Sequence, residues 1–106
     1  MPVEASGHLD RAPDGAVDDA LARALAAGEA VAEAVAESGP AAGRRLLVWS
    51  AGEAFGDLGW PRLNQRVALF AEQLLDGTAE RARKSFALPE GEVEVAVRVH
   101  RPARRS

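Results

Sequence analysis

The 106-residue chain has no cysteine and no tyrosine, one methionine and a single lysine, Lys84. Without cysteine there can be no disulfide, thiolate nucleophile, thiolate metal site or iron–sulfur cluster within it. Excess positive charge is also missing. Thirteen basic residues against sixteen acidic ones leave a formal net charge of −3, which argues against a generally basic nucleic-acid binder. No long apolar run occurs: residues 16–36, the most apolar stretch, are rich in alanine. They carry Asp18, Asp19, Arg23, Glu29 and Glu33, which cannot cross a bilayer as a helix. The start has no basic segment followed by an apolar one, so no export signal is read there and the cytoplasm is the default location.

What is present is the mix of an ordinary globular protein, 47% hydrophobic and 27% charged, in a length that suits one domain. The charge is uneven. Residues 1–37 hold eight acids and two arginines; residues 38–106 hold eight acids and eleven bases. Arginine forks suit carboxylates and phosphates better than lysine does. A bias toward GC-rich codons explains the abundance of Arg, Ala and Gly equally well. Residues 1–14 read as a flexible tail containing His8, 15–100 as a single domain, and 101–106 as a basic tail.

Val17, Leu21, Ala24 and Leu25 make one apolar stripe, with Asp18 and Asp19 in the first turn, where a helix dipole favours acids, and Gly28 as a stop. Residues 30–37 are ambiguous. Alanine and glutamate favour helix, yet Val31 and Val35 share a face in either a helix or a strand. Residues 38–43 read as a loop, Arg45–Trp49 as a strand with Trp49 in the core, and residues 51–53 as a turn before Ala54–Gly56. From Pro61 to Asp76, Leu63, Val67, Phe70, Leu74 and Leu75 form a continuous apolar face, with Pro61 suited to the first turn and Gly77 as the C-cap. Residues 79–87 fit helix or strand. Val93, Val95, Val97 and Val99 alternate with Glu92, Glu94, Ala96 and Arg98, the pattern of a half-buried strand. His100 reads as an exposed strand end.

Several segments in order resemble one family. Leu25-Ala-Ala-Gly-Glu-Ala-Val31, Ser38-Gly-Pro40 and Gly43-Arg-Arg-Leu-Leu-Val48 are similar to the opening of the XdhC/CoxI family, accessory proteins of molybdenum hydroxylases. Gly52-Glu53, Gly56-Asp-Leu-Gly59, the helix positions Val67, Ala71, Leu74 and Gly77, and Glu92-Val-Glu-Val-Ala-Val97 continue the likeness over residues 25–102. The resemblance implies that 30–37 is a strand. The expected fold is then α+β, a small mainly antiparallel sheet with two helices packed on one face. Two departures stand out. Where the family has Gly-Gly, Cys and Glu in its loop, this chain has Trp60-Pro61, Arg62 and Asn64. The Rossmann-type domain that usually follows in full-length members would begin where this sequence stops, at Ser106.

The candidate site is the loop running into the second helix: Gly56, Leu58, Gly59, Trp60, Arg62, Asn64 and Arg66. Helix-start N–H groups and the dipole attract an anion, Arg62 and Arg66 offer a phosphate grip, and Trp60 offers a flat face to a ring such as a pterin. Pro61 removes one N–H, and Asp57 repels anions. The plainer alternative, a connecting turn with Trp60 capping the core and Arg62 solvated, is favoured on general grounds. No acid–base constellation stands out, so an independent enzyme is not expected. The resemblance implies a non-catalytic accessory or binding module for molybdenum hydroxylase maturation that contacts the molybdenum cofactor (molybdopterin) or the hydroxylase; from the residues themselves no metal site and no nucleic-acid or membrane partner is expected. The alternative is a protein-interaction or homodimerisation domain that has lost the family's ligand site.

Overall fold

The computed structural model describes residues 14–101; the tails read as 1–14 and 101–106 fall almost wholly outside them, and His8 does too. The order of elements is α1 (Asp14–Ala26), β1 (Val31–Ala36), a 3-10 turn (Gly39–Ala41), β2 (Arg45–Trp49), β3 (Ala54–Gly56), α2 (Pro61–Asp76), β4 (Arg81–Leu88) and β5 (Gly91–His100). The five strands form one antiparallel sheet in the order β3-β2-β1-β5-β4. The α+β class and the antiparallel sheet are as expected, and both ambiguous segments, 30–37 and 79–87, are strands.

The helices, however, lie on opposite faces of the sheet rather than on one. Successive residues of a strand point to opposite sides. On one side Ala32, Ala34 and Ala36 of β1, Leu46 and Val48 of β2, Phe86 of β4 and the four valines of β5 form the larger core. Leu63, Val67 and Ala71 of α2 pack onto it. On the other side Val31 and Leu47 meet Val17 and Ala24 of α1, with Leu21, Leu25 and Trp49 at the margin. The reason is that β1 and β2 are buried on both faces. Leu46-Leu47-Val48 is an unbroken apolar run, as expected of a strand covered on both sides, and it needs a helix above and below. Small alanines on β1 face α2, and pairing with β2 and β5 on both sides holds these helix-prone residues as strand.

The ends of α2 are secured differently. Pro61 fills the first position behind Trp60. Gly77 is the C-cap, but in extended rather than left-handed backbone. The helix-end carbonyls are met instead by Arg101, whose guanidinium donates to the oxygens of Leu74 (3.3 Å), Leu75 (3.2 Å), Gly77 (2.8 Å) and Ala79 (3.2 Å). Beside this helix, Phe70 and Phe86 meet edge to face at 6.2 Å, and the Lys84 ammonium lies 5.2 Å from the Phe70 ring centre.

Candidate functional site

The loop between β3 and α2 is built around one carboxylate and one amide. Gly56 ends β3 at φ +108°, and a Cβ there would stand 2.6 Å from the Arg45 carbonyl oxygen, so only glycine lets the strands approach this closely. Asp57 Oδ1 accepts the Gly59 N–H (2.7 Å) and the Asn64 Nδ2–H (2.9 Å). The Leu58 N–H donates to Asn64 Oδ1 at 2.8 Å. The amide of Asn64 and the Gly59 N–H hold the Asp57 carboxyl below the usual aspartate range, and the nearby Arg44 charge adds to the effect.

This wiring divides the seven candidate residues. Leu58 is fully buried in the larger core. Gly56 serves the strand pairing, and Gly59 lies against the Arg44 guanidinium. Asn64 is turned back into the loop, and the N–H groups of Leu58 and Gly59 are already donating. These four do not face a shared space. Trp60, Arg62 and Arg66 do. With Pro61 they form one wall of a hollow of about 390 Å³, and Ala87, Leu88, Pro89 and Glu90 at the β4–β5 turn form the other. Trp60 is half-buried and packs on the core, while its side chain makes no cap to the helix. The plainer alternative holds in both its parts, since Trp60 caps the core and Arg62 is exposed, and the same two residues border the hollow with Arg66.

A second polar cluster was not legible as such. Glu33, on the α1 side of β1, receives the Arg45 guanidinium on Oε2 (2.8 Å) and lies 2.9 Å from His100 Nε2 through Oε1; the same Arg45 nitrogen reaches Asp18 of α1 at 2.8 Å. Burial alone would raise the Glu33 carboxyl, but hydrogen bonds from His100 and Arg45 outweigh it, so it lies below the usual range. Burial would lower Arg45, and its bonds to Asp18 and Glu33 raise it instead. His100 is thus not the exposed strand end expected; its side chain is 21% exposed and tied to β1. Trp49 is half-buried rather than fully in the core, its indole N–H donating to Glu29 at 3.0 Å. The available signal was a glutamate inside an otherwise apolar strand, which needs partners when the strand is central.

Among the described residues no cluster of three His, Cys, Asp or Glu could hold a metal ion, and no helix is long and apolar enough to cross a membrane. No protein-family model matches the chain, and no curated protein matches it either.

Proposed function

We propose that this chain is a non-catalytic binding module acting in molybdenum hydroxylase maturation, with its ligand held between the start of α2 and the β4–β5 turn. The observation that carries the reading is the hollow bordered by Trp60, Arg62 and Arg66 on one wall and Glu90 on the other. These residue types fit a molybdopterin-like group. The indole face suits a planar ring, two guanidinium forks suit a phosphate, and a carboxylate suits the N–H donors of an aminopyrimidinone edge. Bound, the cofactor would supply the dithiolene that holds molybdenum; the chain's own residues bind and orient it. The order helix, strand, strand, short strand, helix, strand, strand agrees with what the XdhC/CoxI resemblance implies.

The test is calorimetric titration with molybdopterin and, separately, with a purified hydroxylase. Arg62→Ala should weaken cofactor binding by roughly 1.5–3 kcal/mol, the worth of a charge-assisted bond. No binding to either at concentrations well above micromolar removes this role. A second reading, an interaction or dimerisation domain, is favoured by β4, an eight-residue strand at the sheet's edge with one side unpaired among the described residues. Dimerisation in sedimentation experiments, indifferent to Arg62→Ala, would select it.

A further inference from the structure

We propose a phosphoryl-binding site on the opposite side of the sheet, formed by Arg81 of β4 and Arg98 of β5 on the part of that face that α1 leaves open. The two arginines are direct cross-strand partners and therefore project on the same side. Like charges placed directly opposite each other in an antiparallel pair are destabilising, so such a pair calls for a counter-charge. Among the described residues, neither Arg81 nor Arg98 makes an ion pair, whereas the neighbouring Arg83 is engaged by Glu37 at 3.1 Å and approaches Glu94 at 4.0 Å. The register partner of Arg98 on its other side is Glu33, but both oxygens of that carboxylate are committed, one to Arg45 and one to His100.

Both guanidinium groups border a hollow of about 610 Å³ whose floor includes the half-buried Val35 and Ala96. That volume is in the range of small-molecule sites. The chemistry favours a phosphoryl group over a carboxylate. Each fork is satisfied by two parallel acceptor oxygens, and a carboxylate with two oxygens serves one fork, while a terminal phosphoryl group has three and can be shared by two. The small apolar floor suits the organic body of a phosphorylated small molecule. Glu33 and Glu37 also border the hollow, and each is paired with a guanidinium, Arg45 and Arg83, that offsets its charge toward an anion. This site is on the other face from the Trp60 hollow and stands whether or not the proposed function does.

The test is titration of the whole chain with inorganic pyrophosphate, followed through the Arg Nε–H signals in NMR and through the melting temperature. The expected result is saturable shifts of the Arg81 and Arg98 signals and a rise in melting temperature. Arg81→Gln and Arg98→Gln should each weaken binding by about tenfold, equivalent to about 1.4 kcal/mol. Without ligand, each of these variants should melt at or above the parent, because a like-charge repulsion is removed. Arg23→Gln on α1 should bind as the parent does. Unsaturable shifts, binding by either variant as tight as the parent's, or a lower melting temperature in ligand-free Arg81→Gln would each overturn the proposal. Capture by phosphatidylglycerol vesicles or by RNA with no response to pyrophosphate would overturn it as well.

Discussion

Asn64 is where a sequence-based ligand contact and the observed structure diverge, and its replacement separates the two. Asn64→Ala removes the acceptor of the Leu58 N–H and the donor to Asp57. The first is a neutral bond worth about 1 kcal/mol and the second is charge-assisted, taken at the low end because the loop is half-exposed, so the sum is about 2–3 kcal/mol. With a urea slope near 1 kcal/mol/M for a chain of this size, the unfolding midpoint should fall by about 2–3 M. Asn64→Asp sharpens the test. In the parent, Asp57 is held below its ordinary 3.8, so it contributes stability above that value that is lost as pH falls through its lower folded value. In Asn64→Asp two carboxylates meet at what was a 2.9 Å contact. One of the pair is then pushed up, and the variant should gain stability between pH 7 and about pH 4.5 while the parent does not. Urea titrations at both pH values measure this. A midpoint for Asn64→Ala within about 0.3 M of the parent, or an Asn64→Asp variant that weakens on acidification, would refute the clasp.

Two further outcomes follow from the same wiring. Glu33→Gln should cost about 1–2 kcal/mol at pH 7, since two half-buried polar bonds lose their charge. Because the Glu33 carboxyl is lowered in the fold, its contribution is present above its ordinary 4.5 and disappears as pH falls through the folded value, so the parent and variant melting curves should converge in acid; parallel pH profiles would contradict this. Gly56→Ala should destabilise by about 2–4 kcal/mol through its positive φ and the contact with the Arg45 carbonyl, read as a drop in melting temperature with the β2–β3 amides losing hydrogen-exchange protection.

Residue pattern carried most of the elements, and its failures have distinct causes. The apolar stripe of α2 and the alternation of β5 are local signals, and both elements form where those signals place them. Residues 31–36 are a strand because β2 and β5 flank them on both sides, a non-local fact that alanine's helix preference obscures. The placement of the two helices was within reach. Unbroken Leu46-Leu47-Val48 beside strictly alternating β5 describes a sheet covered on both faces over β1 and β2 and on one face over β4 and β5. At the candidate site, Trp60, Arg62 and Arg66 come together around a hollow, while Gly56, Leu58, Gly59 and Asn64 hold the loop that leads to it. A polar residue at a helix start reads the same whether it faces a ligand or its own loop, so only the partner Asp57 distinguishes them.

The strand order also dictates when this protein can become itself. The middle strand, β1, waits on one flank for β5, some sixty residues downstream, and β5 in turn is the only partner of β4 among the described residues. Until synthesis has passed His100, β1 presents a bare flank and β4 has nothing to pair with, which leaves α2 without most of its valine floor. A nascent chain halted short of Gly91 would therefore be a client for chaperones rather than a smaller version of the domain.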